Sequence, residues 1–213
     1  MNLNLFPLKP PNGLIHLRDY LDLNIQNEIL HHLEQIISIT PLRSLKTRSG
    51  GKFSTKITNC GKLGWWSDQK GYYYTPCDPD SGASWPNIPQ LYMNTISNIL
   101  KEISFPISFK PDACLINYYS KDSKMGLHQD KDEENLKHPI MTISLGDKAD
   151  FLIGGNKRSI KPDILSLNSG DILIMSNDSR LYFHGIKKIY PGTSPINKLV
   201  GRFSLTFRKA REN

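Results

Sequence analysis

Two segments in the first half of the chain carry the spacing of apolar residues that predicts an amphipathic helix. In residues 23–39 the apolar positions recur at i, i+4, i+5 and i+8, which places them on one helical face. They are Ile25, Ile29, Leu30, Leu33, Ile36 and Ile37. Residues 88–103 repeat this pattern between flanking prolines, which mark helix boundaries. Residues 1–13 contain prolines and no such pattern, so we expect an irregular arm there.

After residue 112 the pattern changes to short runs typical of β-strands, separated by Gly, Asn, Asp, Ser and Pro. The runs are 113–119, 139–145, 150–155, 163–167, 171–175, 180–186 and 201–209. Many short strands without helices between them favour an antiparallel sandwich or a jelly roll. The N-terminal half, which contains both helices, is expected to pack on this β-rich core.

The length of 213 residues suits a single domain. We see no secretory signal and no apolar run long enough to span a membrane. The three cysteines form neither a CxxC pair nor a disulfide framework, which fits a reducing compartment. We therefore expect a cytoplasmic protein without a membrane partner.

One segment carries a net charge almost as large as that of the whole chain. The formal net charge is +7, and residues 42–70 hold seven basic side chains and one acid, a net charge of +6. Glycines interrupt the segment, and aromatic residues including Trp65 occur across 53–74. Aromatic faces among positive charges fit binding of nucleic acid by base stacking and phosphate contact. A surface that only keeps the protein soluble is the alternative.

His128 and Asp130 form an H-x-D pair whose side chains would point to one side of an extended strand. His184, in a later strand-like run, is the candidate third ligand. Two histidines and one carboxylate form the facial triad of non-haem Fe(II) oxygenases, which leaves coordination positions open. The alternative is an exposed histidine beside solvated acids, since Asp132, Glu133 and Glu134 follow.

The last predicted strand alternates apolar and polar residues, with Phe203, Leu205 and Phe207 on one face. The opposite face carries Arg202 and Arg208. Two arginines that point into a β-sandwich are costly unless they meet anions, and a guanidinium binds a carboxylate bidentately. With an iron triad, the pair indicates a dicarboxylate such as 2-oxoglutarate. An edge strand with exposed arginines is the alternative.

Longer motifs make the chain similar to the AlkB family, the bacterial Fe(II)/2-oxoglutarate-dependent dioxygenases that repair alkylated DNA. The resemblance covers about residues 40–210 and follows the order of the family's motifs. The motifs are TNCGKLGW (58–65), GYYYTP (71–76), PDACLINYY (111–119), LHQDKDE (127–133), SLG (144–146), GGNKR (154–158), SRLYFHGI (179–186) and RFSLTFR (202–208). It implies the fold class α+β, with a double-stranded β-helix (jelly roll) core, an N-terminal helical layer and a nucleotide-recognition lid.

The resemblance also implies a role for individual residues. Fe(II) would be held by His128, Asp130 and His184, which are the catalytic centre. The implied 2-oxoglutarate site consists of Leu115, Asn117, Tyr119, Arg202, Ser204 and Arg208. The implied substrate pocket consists of Trp65, Tyr72, Tyr74, Asp132 and Arg158, and His128 would also pack against the base. Ser204 stands where the family has Asn and Ile57 where it has Met, which bears on cosubstrate packing and substrate preference.

The implied function is oxidative demethylation of N-alkylated DNA bases of the 1-methyladenine and 3-methylcytosine type, with 2-oxoglutarate and O₂ as cosubstrates. The expected partner of this monomer is single-stranded DNA, or duplex DNA with a flipped base. The expected parts of the single domain are an N-terminal arm and helix (1–41), the lid (42–86), a supporting helix (87–110) and the dioxygenase core (111–210). Two alternatives stay open: an RNA or protein substrate on the same fold, and a non-catalytic nucleic-acid-binding module.

Overall fold

The computed structural model describes residues 12–47 and 49–212, so most of the predicted N-terminal arm lies outside the described residues. The helices are Leu23–Ile39 (α1) and Gln90–Glu102 (α2), and a 3₁₀ helix spans Asn177–Leu181. The strands are Leu14–Leu17 (β1), Lys56–Gly61 (β2), Gly64–Asp68 (β3), Gly71–Thr75 (β4), Ala113–Tyr119 (β5), Met125–His128 (β6), Ile140–Gly146 (β7), Lys148–Ile153 (β8), Asp163–Leu167 (β9), Ile172–Met175 (β10), His184–Tyr190 (β11) and Arg202–Arg208 (β12).

The strands form two antiparallel sheets and a separate hairpin. The larger sheet has the order β1-β10-β7-β12-β5-β2, the smaller has the order β6-β11-β8-β9, and β3 pairs with β4. From β5 to β12 the chain passes back and forth between the two sheets, which is the winding of a jelly roll. Among the described residues, no helix is both long and apolar enough to cross a membrane.

The two helices cover one face of the larger sheet. Ile29 of α1 and Ile96 of α2 are buried in one cluster with Phe203, Leu205 and Phe207 of β12. Alternation along β12 therefore turns its other side chains away from the helices, toward the smaller sheet. A second apolar cluster joins the two sheets across the space between them. The space left beside this cluster contains the site.

The helices and most of the strands lie where the sequence predicts them. α1 has the predicted bounds, and its start is fixed by Asp22, whose carboxylate accepts a hydrogen bond from the backbone N–H of Ile25 at 2.9 Å. α2 begins two residues later than predicted, after Pro89. The strand predicted over 180–186 is wrong in its first half, because the chain there ends a 3₁₀ helix and the strand begins at His184. The four-residue strand β1 was not predicted, because it is too short to show alternation.

Candidate active site

His128, Asp130 and His184 form the single cluster of three potential metal ligands within residues 12–47 and 49–212. His128 ends β6 and His184 begins β11, and the pairing of these strands sets the two histidines opposite each other. A carboxylate oxygen of Asp130 lies 3.7 Å from Nε2 of His128, and the other lies 3.6 Å from Nε2 of His184. The ligand atoms of all three lie within 4.8 Å of one another. One expectation is corrected: β6 ends at His128, so Asp130 comes from the following loop.

Backbone carbonyl groups fix which nitrogen of each histidine faces the cluster. Nδ1 of His128 lies 2.9 Å from the carbonyl oxygen of Gly126, and Nδ1 of His184 lies 2.9 Å from that of Tyr182. A carbonyl oxygen only accepts, so each Nδ1 carries the proton and donates it. Each ring therefore turns its Nε2 toward the space that it shares with Asp130. This is the arrangement by which outer hydrogen bonds orient histidine ligands around a metal.

The protonation states also suit a metal. Burial in the cavity, reinforced by the neighbouring His184, lowers the pKa of His128 to about 4, so the ring is neutral at pH 7. Burial alone would raise the pKa of Asp130, but the guanidinium of Arg208 holds it well below its usual value. Two imidazole nitrogens and one carboxylate on one side of a divalent ion fit Fe(II) and leave positions open for other ligands.

Both arginines of β12 are buried, which overturns the alternative of an exposed edge strand. β12 lies in the interior of the larger sheet between β5 and β7, and Arg202 and Arg208 are 0% and 5% exposed. Arg202 donates to Oγ of Ser144 at 2.6 Å and to the carbonyl oxygen of Asp147 at 3.2 Å. Arg208 donates to Oδ2 of Asp130 at 2.7 Å, a contact that the sequence did not predict.

Three buried polar atoms in this region have no hydrogen-bond partner in the described chain: Nε of Arg202, Nε of Arg208 and Oδ1 of Asn117. All three residues line the cavity that also holds the metal cluster. A buried polar atom without a partner is costly unless a ligand satisfies it. Two buried guanidinium groups with unused donors fit a dicarboxylate, so the residues present fit 2-oxoglutarate as well as Fe(II).

The predicted site residues converge on a single cavity of about 690 Å³. Every residue assigned to the metal, the 2-oxoglutarate or the substrate lines it, with the exception of Tyr74. Lys52, Lys124 and Lys131 also line the cavity, which adds positive charge around the aromatic side chains. A separate cleft of about 510 Å³ lies beside β1 and the two helices and contains none of these residues.

The β3–β4 hairpin supplies an aromatic wall to this cavity. The ring of Trp65 stacks on that of Tyr72 with the centroids 5.5 Å apart and the planes at 20°. The indole N–H of Trp65 donates to Oδ2 of Asp132 at 2.9 Å, which joins the hairpin to the loop that carries Asp130. Arg158 packs over the ring of Phe183 and donates to the carbonyl oxygen of Leu127. A flat aromatic face beside a carboxylate can stack on a planar cationic ligand and accept its N–H groups.

Two residues have contacts that the sequence did not indicate. Tyr74 shares a face of β4 with Tyr72, but it lies two residues further along the strand, which is roughly 7 Å. It is buried behind the cavity wall, where its hydroxyl donates to Glu133 at 2.7 Å and accepts from Arg208 at 3.1 Å. Arg43, counted in the basic segment, forms an ion pair with the buried carboxylate of Asp78 at 2.7 Å. The positive charge of Arg43 is therefore used within the protein and not for binding a ligand.

Glu133 and Arg180 adjoin the site although the sequence gave no sign of it. Glu133 stands in a run of acids, which is typical of a solvated surface, yet its side chain is 1% exposed. Arg180, with a side chain 2% exposed, pairs with it at 2.8 Å across 47 residues of sequence. The local sequence does not distinguish Glu133 from its exposed neighbour Glu134. Their different burial arises from the tertiary structure, in which the 3₁₀ helix packs against this loop and its Arg180 pairs with Glu133.

Comparisons with known proteins agree with this geometry. A model of the 2OG-Fe(II) oxygenase superfamily matches residues 13–208. The chain is 38% identical over 198 residues to the alpha-ketoglutarate-dependent dioxygenase AlkB of Escherichia coli, which covers 93% of this chain and 90% of that protein. It is 35% identical over 141 residues to the tRNA demethylase abh1 of Schizosaccharomyces pombe, which covers 66% of this chain and 46% of that one. The solved structure of OsALKBH1 superposes with a TM-score of 0.80 at 30% identity, over 94% of this chain and 99% of that one.

Proposed function

The chain belongs to the 2OG-Fe(II) oxygenase superfamily and, within it, to the AlkB dioxygenases, and from this premise we propose that it demethylates N-alkylated bases of DNA. The observation that carries the proposal is one cavity that holds three things side by side. They are a His-Asp-His cluster, two buried arginines with unused donors, and an aromatic wall beside an acid. The first two fit the cofactors of the family, and the third fits a flat cationic base.

Each part of the cavity has a task in this proposal. His128, Asp130 and His184 hold Fe(II), which with 2-oxoglutarate and O₂ supplies the oxidation of a methyl C–H bond. Arg202 and Arg208 bind the cosubstrate carboxylates, with Asn117, Tyr119, Leu115 and Ser204 lining its site.

The substrate side of the cavity favours bases such as 1-methyladenine and 3-methylcytosine, which carry a positive charge. Asp132 supplies a negative charge and accepts from an exocyclic amine, while Trp65, Tyr72 and His128 provide faces for stacking. The base has to leave the helical stack to reach the metal, so the substrate is single-stranded DNA or duplex DNA with a flipped base. Residues 42–86 are the nucleotide-recognition lid in this proposal, on a single domain that acts as a monomer.

RNA is the second candidate substrate, since the tRNA demethylase of fission yeast is among the relatives. Base stacking and contacts with phosphates do not distinguish DNA from RNA, which differ at the 2′-hydroxyl. A non-catalytic binding module is disfavoured, because the metal cluster and both arginines are complete.

The decisive assay mixes purified protein with Fe(II), ascorbate, 2-oxoglutarate and a single-stranded oligonucleotide that carries one 3-methylcytosine. We expect stoichiometric formaldehyde and restored cytosine, and no formaldehyde from the unmethylated oligonucleotide. His128→Ala, checked for folding by circular dichroism, should abolish turnover and keep most of the binding to DNA. An RNA oligonucleotide of the same sequence ranks the two substrates. No formaldehyde from folded, metal-loaded protein on either nucleic acid would refute the proposal.

A further inference from the structure

Arg180 connects the chain segments that carry two of the three candidate metal ligands. It lies in the 3₁₀ helix four residues before His184, and its side chain donates hydrogen bonds to the loop that follows β6. Its Nη1 donates to the carbonyl oxygen of Asp130 at 2.6 Å, and its Nε donates to that of His138 at 3.0 Å. Its Nη2 donates to Glu133 at 2.8 Å. The guanidinium thus holds the backbone of Asp130 at a fixed place relative to His184.

Glu133 occupies the centre of the same group of side chains. One carboxylate oxygen accepts from Arg180 at 2.8 Å, and the other accepts from the hydroxyl of Tyr74 at 2.7 Å. This second oxygen also lies 3.5 Å from Nη1 of Arg208. Arg208 in turn donates from Nη2 to the carboxylate of Asp130. Asp130, Arg208, Glu133 and Arg180 therefore form a closed cycle of contacts.

The charges of this cycle balance, because it holds two carboxylates and two guanidinium groups. All four side chains are 8% exposed or less, so water screens them little. Removal of one member leaves an uncompensated buried charge, which is strongly destabilising. The remaining charged side chains are then expected to rearrange to compensate it. Without Glu133, Arg208 keeps Asp130 as its carboxylate partner, and Arg180 loses the carboxylate with which it pairs.

We propose that Glu133 and Arg180 are positioning residues, which set the orientation of the Asp130 carboxylate toward the metal and of Arg208 toward 2-oxoglutarate. This inference rests on the proposed function, in that His128, Asp130 and His184 hold the metal. Asp130 is fixed at its carbonyl oxygen by Arg180 and at its carboxylate by Arg208. Glu133 is the group that both arginines share. Neither Glu133 nor Arg180 lines the cavity, so they act through Asp130 and Arg208 and not by contact with the substrate.

The test is a titration of metal-free protein with Co(II), read from the visible absorption of the bound ion, with no turnover required. Glu133→Gln keeps the shape of the side chain and removes its charge. We expect its dissociation constant for Co(II) to rise on the order of 10-fold or more, as for other groups that orient metal ligands. The Michaelis constant for 2-oxoglutarate should rise as well, since Arg208 is drawn toward Asp130. The matched control is Glu134→Gln, whose exposed carboxylate accepts from Arg211 and from the backbone N–H of Glu212.

A second variant keeps the test decisive if Glu133→Gln does not fold. Tyr74→Phe removes one hydroxyl from the cycle and leaves the aromatic ring in place. It should weaken Co(II) binding about fivefold, the effect of one ordinary hydrogen bond. If the role is purely structural, the variants unfold at a lower temperature, while their Co(II) affinity and Michaelis constant stay unchanged. Both are measured at 20 °C, roughly 25 °C below the unfolding midpoint of a mesophilic domain, so the variants are folded. Unchanged values of both overturn the inference. Two other results would overturn the proposed function instead: no binding of Co(II) by the wild type, or the same Co(II) affinity in the wild type and in His128→Ala.

Discussion

The approach of β6 to β11, which sets the two histidines opposite each other, depends on a residue without a side chain. Gly185 follows His184 directly, and a Cβ atom placed there would lie 2.4 Å from the carbonyl oxygen of Met125 and 3.0 Å from that of Gly126. Ordinary contacts of a Cβ atom are 3.4 Å or longer. Gly185→Ala therefore requires β6 and β11 to separate by roughly 1 Å, about a fifth of the ~4.8 Å spacing between strands.

The expected effect on stability is smaller than the effect on activity. Overpacking of this kind costs about 1–3 kcal/mol of the free energy of unfolding, and the midpoint falls by about 2–4 °C for each kcal/mol in a chain of this size. Activity should suffer more, because a displacement of about 1 Å between positioned catalytic groups can cost on the order of 100-fold in rate. The displaced group here is His128, which β6 carries.

The measurements are thermal unfolding, Co(II) affinity and formaldehyde release from 3-methylcytosine at saturating 2-oxoglutarate. Gly126→Ala is the matched control, because a Cβ atom on this neighbouring glycine would have no heavy atom within 4 Å. We expect the control to resemble the wild type in all three measurements. If Gly185→Ala releases formaldehyde within about twofold of the wild-type rate, the close strand approach does not position the histidines and the reasoning fails.

Three further predictions concern the cavity. Asp132→Asn should lower kcat/KM for 3-methylcytosine about 10-fold, because the positive base loses an ionic partner. The rate on a neutral methylated base should change less, and equal losses on both bases would contradict this role. Arg202→Lys should raise the KM for 2-oxoglutarate at least about 10-fold with a smaller change in kcat, because an ammonium group cannot bind a carboxylate bidentately; an unchanged KM would place the cosubstrate elsewhere. Raising the salt concentration from about 50 to 200 mM should raise the KM for the oligonucleotide steeply and leave kcat nearly constant. The reason is that lysine–phosphate contacts release counterions, so binding weakens as salt is added. A KM independent of salt would contradict contact with phosphates.

Much of the fold and of the candidate site followed from the sequence, because both depend on local patterns. The helical period of α1 and the alternation along β12 are visible in single segments, and the alternation placed Arg202 and Arg208 on the face opposite the core. The H-x-D pair and the motifs that resemble the AlkB family identified the candidate metal ligands before any geometry was known. These features are predictable because residue type and spacing alone constrain them.

Only the tertiary structure decided which charged and aromatic residues are buried and what they contact. Glu133 and Glu134 are adjacent acids in the sequence, yet one is enclosed with Arg180 and the other is exposed. Tyr72 and Tyr74 share a face of one strand, yet one lines the cavity and the other lies behind its wall. Burial and pairing of this kind arise from contacts between segments that lie dozens of residues apart. No local pattern records such contacts, so the sequence determined the chemistry of this site and the packing of its sheets determined how that chemistry is held.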